Sequence, residues 1–275
     1  MTVDVEDYFQ VEAFFPYIDR ADWDTIECRV EANVDRILAL FLDHNIKGTF
    51  FTLGWIAKRY PAMVRRIIAN GHELASHGVA HIRADRQSRA QFTKDVSSAK
   101  RMLEDIGGTP VLGYRATSFS ITRNNLWAFS ALEEAGYSYS SSTNPIKHDL
   151  YGMPEQPRFA FYPFSDSRFV EIPVTTMRLL GRNWPAGGGG YFRLTPYALF
   201  KQNLKIVQSR DQKPCTFYFH PWEIDPEQPK ITGTSLKTRF RHYLNLDRTY
   251  NRLQKLLRDF SWSSIVSVYP VGGAS

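Results

Sequence analysis

Cysteine is nearly absent from this chain of 275 residues: Cys28 and Cys215 are the only two, far apart and outside any CxxC pattern. That excludes a disulfide framework and a cysteine-based zinc module. No run of about 18 apolar residues occurs, so no segment reads as a membrane-spanning helix. No apolar leader precedes the strand-like residues Thr2-Val3-Asp4, which points to a cytoplasmic protein; a periplasmic one requires a longer precursor. Lys/Arg runs of five or more are missing, and no nucleic-acid motif accompanies the net charge of +6, so nucleic acid is not an expected partner. Short basic clusters around Lys237, Arg239 and Arg241, and around Arg248 and Arg252, read first as solvated helix faces. An attraction to an acidic glycan or a membrane surface is the alternative. Internal repeats and a linker that would separate two domains are absent as well.

What is present is a globular composition. Hydrophobic residues make up 43% and charged residues 23%, with 19 Phe, 14 Tyr and 6 Trp, far too many large apolar groups for a disordered chain. Along the chain, β-rich runs alternate with helical spacing. Thr2 to Val5 reads as a strand, and residues 8–28 as a loop. Val30, Val34, Ile37, Leu38 and Phe41 recur at helical spacing. Gly48 to Leu53 is β-prone, and 56–69 returns to helical spacing. A short strand near Leu74 leads to a loop with His77 and His81, then a helix at about 90–106, a strand at 111–114 and a helix near 124–135. Pro145, Pro154, Pro157, Pro163, Pro173 and Pro185 break the rhythm, and Gly187 to Gly190 forms a flexible loop or a close backbone approach. A helix at 195–209, a strand at 215–219, a long helix at 236–258 and a final strand near 262–268 complete the expectation. Alternation of this kind argues for a parallel sheet with helical crossovers. The expected fold is α/β: one domain over 1–275, an irregular (β/α) barrel with about seven parallel strands, and a helical and strand extension over about 221–275.

His77 and His81 stand four apart, a spacing that lets two imidazoles on a helical turn bind one metal. Alone the pair means little, because seven histidines in this length give about 0.2 such pairs by chance. A third ligand is needed, and Asp4, Glu6 and Asp7 at the end of the first strand are the candidates. Arg115 ends another expected strand, and His220 follows the most β-prone run. Each alone has an ordinary structural reading, as a loop start, an ion pair or an interior histidine. Four strand ends each delivering a polar group is the stronger signal, since active sites of parallel barrels collect there.

These residues sit in segments that resemble the polysaccharide deacetylases of the NodB-homology type, the fourth family of carbohydrate esterases. The segments are Thr2-Val3-Asp4-Val5-Glu6-Asp7, Lys47 to Gly54, Gly71 to His81, Gly113-Tyr114-Arg115 and Phe217-Tyr218-Phe219-His220, in the family's order. The opening Val3 to Phe9 and His220-Pro221-Trp222-Glu223 look like a subgroup tied to bacterial exopolysaccharide loci. The resemblance implies metal-dependent hydrolysis of N-acetyl groups on an amino-sugar polysaccharide, with Zn2+ the expected divalent metal. It makes Asp4 the catalytic base, His77 and His81 metal ligands, Arg115 the group that orients the base and His220 the general acid. The adjacent aspartates of the family are not found here, which leaves Glu6 or Asp7 as third ligand. Thr117 replaces the usual proline after the arginine, and the groove-lining Asp/Trp segment has no clear match, with His148-Asp149 or Trp184 as replacements. Tyr114, Trp184 and Trp222 are the expected substrate contacts, and Tyr8, Phe9 and Tyr191 can also stack on sugars. Two rival functions remain open: hydrolysis of a small cyclic or linear amide, and glycan binding without catalysis.

Overall fold

The computed structural model describes residues 1–148, 151–269 and 271. In chain order the strands and helices are β1 (Thr2–Val5), α1 (Val30–Asp43), β2 (Thr49–Thr52), α2 (Gly54–Arg59), α3 (Pro61–Ala69), β3 (Glu73–Ser76), α4 (Arg89–Gly107), β4 (Gly113–Tyr114), α5 (Trp127–Glu134), β5 (Tyr139–Ser140) and β6 (Val170–Glu171). Then follow the hairpin strands β7 (Thr176–Leu179) and β8 (Arg182–Pro185), helices α6 (Gly189–Leu194) and α7 (Tyr197–Ile206), β9 (Tyr218–Phe219), α8 (Leu236–Tyr243), α9 (Leu246–Asp259) and α10 (Ile265–Val268). Seven strands pair in parallel in the order β6-β5-β4-β3-β2-β1-β9. Irregular chain bridges the two edges: the Thr175 amide donates to the Thr216 carbonyl at 3.1 Å, and the Tyr218 amide to that of Gly187 at 2.8 Å. The expected irregular (β/α) barrel of seven parallel strands is the observed fold.

The outer layer forms for the reason its spacing suggests. Val34, Ile37 and Phe41 of α1 are fully buried against Val3 and Val5 of β1, each contributing about 1.5–3 kcal/mol. α1 runs out at Asn45, which takes the left-handed conformation (φ 51°), as asparagine tolerates. α4 starts on a capping box in which Ser88 and Gln91 each bond the other's backbone amide, and it stops at left-handed Gly108.

Several expected elements differ. Pro61 divides the 56–69 segment into α2 and α3, because its ring fits only the first turn of a helix. Asn245 (φ 54°) likewise splits 236–258 into α8 and α9. Residues 8–28 are largely 3₁₀ turns rather than plain loop. The final strand is not formed: Ile265 to Val268 is a one-turn helix. The Ile265 amide bonds Thr49 Oγ1 and the Val266 amide bonds Glu73 Oε2, so these amides close the N-terminal ends of β2 and β3 instead of joining a ladder. The glycine run proves to be a close approach. A Cβ on Gly187 would lie 2.5 Å from the Thr216 carbonyl oxygen, and one on Gly189 would lie 2.2 Å from Glu223 Oε1.

Candidate active site and metal centre

Strand parity decides which side chains reach the inside of the barrel. Val3 and Val5 enter the outer core, so Thr2, Asp4 and, just past the strand, Glu6 turn inward. At β4 the same alternation sends Tyr114 outward against Phe92 and Tyr137 and brings Arg115 inside. At β9 Phe217 and Phe219 join the outer core while Tyr218 and His220 face the interior. Asp4, Glu6, His77, His81 and His220 therefore line one cleft of about 150 Å³, at the C-terminal ends of the strands.

Glu6, His77 and His81 are buried, and one donor atom from each lies within 4.8 Å of the others. His77 Nδ1 lies 2.8 Å from the Arg115 carbonyl. An N–H donated there leaves the Nε2 lone pair for a metal. Burial pushes the His77 pKa down to about 4, which keeps the ring neutral as ligation requires. Burial alone would raise the Glu6 carboxyl, but attraction to His81 and His220 outweighs it and holds the pKa at about 2. Glu6 Oε2 lies 2.7 Å from His81 Nε2, yet it has no partner at hydrogen-bonding angles. A buried carboxylate oxygen left so beside two imidazoles fits a divalent cation in both charge and donor type.

Asp7, the other expected ligand, lies outside this cluster. Its parity is opposite to that of Asp4 and Glu6, and backbone amides occupy its carboxylate. Oδ1 accepts from Tyr8, and Oδ2 from Arg29 at 2.7 Å and Val30 at 2.9 Å. Asp7 ties the chain after β1 to the start of α1. His77 and His81 lie on a loop, as expected, and no helical turn joins them: the chain between them bends, with Gly78 (φ 79°) and His81 (φ 53°) in the left-handed region. Arg20 holds this bend through the carbonyls of Ala80 and His81, and Asp95 holds the Val79 amide.

Arg115 is fully buried and every arm is used. Nη1 donates to Asp4 Oδ1 at 2.6 Å and Thr2 Oγ1 at 2.7 Å, while Nε and Nη2 donate to the carbonyl and hydroxyl of Ser141. The guanidinium also lies 4.1 Å from the Phe51 ring centroid. Asp4 thus accepts a charge-assisted hydrogen bond from a rigidly held partner. His220 is held from its far side: Nδ1 lies 2.7 Å from Glu223 Oε1, and Glu223 Oε2 is 2.7 Å from Arg193 Nε. Burial opposes charge on His220, but Glu6 and Glu223 override it and raise the pKa to about 9. Glu223 and Arg193 carried no expected role. The signal for Glu223 was its position three residues after His220 with Pro221 between, a capping-box spacing that the turn fulfils. Nothing in the sequence places Arg193 there.

The expected substrate contacts fare differently. Tyr114 is corrected to a core residue, 1% exposed among the helices. Trp222 borders the cleft, but its ring stacks on His220 and on His242 at 4.1 Å, which leaves it little face for a sugar. Trp184 is half-exposed on β8 and lines a separate groove with Tyr191. Tyr8 and Phe9 are buried in a small outer cluster. His148 stacks on Tyr151, which lines the cleft, and Asp149 lies outside the described residues. Phe119 and Tyr218 are cleft aromatics that sequence reasoning passed over.

Residues 22–140 match the model of the polysaccharide deacetylase family, and residues 141–270 match a domain of unknown function, DUF3473. Over residues 22–140 the chain carries a polysaccharide deacetylase domain. The deacetylase match holds His77, His81 and Arg115, and His220 falls in the second match. A peptidoglycan-N-acetylglucosamine deacetylase of Bacillus cereus is 28% identical over 102 residues, covering 37% of this chain and 46% of that protein. A chitooligosaccharide deacetylase of Sinorhizobium fredii is 33% identical over 67 residues, 24% of this chain and 31% of that protein. The matched segments thus span less than half the length of these relatives. A solved structure of a candidate polysaccharide deacetylase from Mycobacterium smegmatis shares the fold, with a TM-score of 0.60 at 20% identity over 98% of this chain and 87% of that one.

Proposed function

We propose that this protein removes acetyl groups from an N-acetylated amino-sugar polysaccharide, with a divalent metal held by Glu6, His77 and His81. The observation that carries the reading is the meeting of that cluster with Asp4 and His220 at one cleft, with Arg115 locked behind Asp4. The named relatives act on peptidoglycan N-acetylglucosamine and on chitooligosaccharides, which supports the substrate class. The opening segment and His220-Pro221-Trp222-Glu223 favour bacterial exopolysaccharide as its setting. Two imidazoles and one carboxylate suit zinc, and iron, cobalt or nickel accept the same donors.

Bound there, the metal supplies Lewis acidity, polarising an acetamide carbonyl and lowering the pKa of a water. Asp4 takes the proton of the attacking water, and Arg115 keeps its carboxylate aimed. His220 gives a proton from Nε2 to the departing amine nitrogen while Glu223 holds Nδ1. Water and an acetamide become acetate and a free amine. Phe119, Tyr151 and Tyr218 wall the cleft and exclude bulk water.

The test is acetate release from chitooligosaccharides and peptidoglycan fragments, after chelation and after metal is restored. Release that disappears with chelator and returns with metal is expected. No release with any of the four metals overturns the reading, and hydrolysis of small cyclic amides in its place assigns the site to that chemistry.

A further inference from the structure

The groove that holds Trp184 lies apart from the catalytic cleft and is solvated in an unusual way. β7 and β8 form a two-residue hairpin in register Leu179↔Arg182, with Leu180 and Gly181 as the turn. Both turn residues have positive φ, 51° and 73°, as the favoured hairpin turn demands. Glycine and asparagine suit such positions, whereas a leucine there has its Cβ crowded against the backbone. Leu180 is also 91% exposed and Leu179 49%. Neither backbone preference nor solvation accounts for an apolar side chain at this tip.

The surroundings say what would. A groove of about 1010 Å³ runs along the hairpin and adds the exposed Leu194 and Leu199 and the half-exposed Trp184. Its cations are Lys147, Arg178 and Arg182, and no carboxylate lines it among the described residues. Aliphatic tips flanked by arginines, with a half-exposed amphipathic indole in the same groove, match an interface that is hydrocarbon within and anionic at its rim. A sugar chain would favour aromatic faces over four exposed leucines, and a helical partner without carboxylates would leave the three cations unanswered. No helix among the described residues is long and apolar enough to cross a membrane, so attachment would be peripheral.

We propose that the β7–β8 hairpin and its groove dock this protein onto an anionic lipid surface, with Leu179 and Leu180 entering the acyl boundary and Arg178, Arg182 and Lys147 meeting the headgroups. The groove and the cleft share no lining residue.

The test pellets the full chain with vesicles of phosphatidylcholine, and with vesicles of equal parts phosphatidylcholine and phosphatidylglycerol. The chain should pellet with the second and not with the first. An Arg178→Gln/Arg182→Gln variant should partition about thirty-fold more weakly. Leu180→Asn should weaken binding about tenfold while its thermal midpoint stays level or rises, because asparagine suits the positive φ. That variant separates docking from folding. Failure to pellet with anionic vesicles overturns the proposal, as does pelleting that ignores Leu180→Asn. So does self-association in light scattering that Leu180→Asn abolishes, which would make the occupant a second copy. Equal retention of wild type and Leu180→Asn on a soluble anionic polysaccharide, without vesicle binding, would give the groove to a glycan.

Discussion

The catalytic cleft and the β7–β8 hairpin depart from the usual division of polar outside and apolar inside, in opposite directions. At the cleft, Asp4, Glu6, His77, Arg115 and Glu223 are buried, and nearly every polar atom is held by a named partner. Along the hairpin and its groove, four leucines lie open to water near cations. Both arrangements cost stability and neither is needed to close the barrel. Buried charge is tolerable only with partners already in place, and in the cleft the chain supplies them for Asp4, Arg115 and Glu223, leaving Glu6 Oε2 open. Among the described residues nothing covers Leu180, and the proposed lipid surface would complete the hairpin from outside.

The largest effects should come from removing one member of the buried set. Asp4→Asn is expected to lower acetate release by about 10²–10⁴-fold while metal content holds. His77→Ala should lose the metal itself, read by elemental analysis. Equal metal loss in both variants would make Asp4 a ligand and remove it as the base. Arg115→Ala leaves Asp4 buried without its counter-charge and should destabilise the fold by about 3–5 kcal/mol in urea unfolding. Arg115→Lys should not restore it, since one ammonium cannot reach Asp4, Thr2 and Ser141 together. A small loss in Arg115→Ala would show that water compensates Asp4, and the cleft would then resemble the hairpin after all.

Smaller changes probe how His220 is held. Glu223→Gln should cost about 10–100-fold in turnover with metal content unchanged. Gly189→Ala should reproduce part of that loss, because its Cβ would press on Glu223. Unaltered turnover in Gly189→Ala would show that Glu223 can move without consequence.

His242 gives the mildest effect. Burial, aided by Arg193, lowers its pKa from 6.5 to about 3. The folded state then binds fewer protons than the unfolded chain over that window. Stability is unaffected by this group above pH 6.5 and falls as pH drops below it. Between pH 7 and pH 5 the loss is about 2 kcal/mol, and His242→Asn should flatten that slope in urea midpoints at the two pH values. Matching slopes in variant and wild type would remove His242 from the account.

The fold was legible because alternation of strand and helix signals needs only local spacing. The misses are also physical. The last expected strand, near 262–268, had β-prone residues, but its amides found Thr49 and Glu73 first. Tyr114 was expected to touch substrate, and the two-residue period of a strand put it on the face opposite to Arg115. Trp184 and Trp222 were expected to stack on sugars by type alone, and neither exposure nor stacking partners can be read along a chain.

By itself the sequence determined the parallel barrel and which polar side chains stand at its strand ends, because strand parity and the order of Asp4, Glu6, His77, Arg115 and His220 are properties of the chain. Only the tertiary structure set Glu6 rather than Asp7 beside His77 and His81, since both stand beside β1 and the amides of Arg29 and Val30 take the Asp7 carboxylate. It also brought Arg193 to Glu223 across 30 residues and left Leu180 facing water. Contacts of that kind are set by which surfaces meet when the barrel closes.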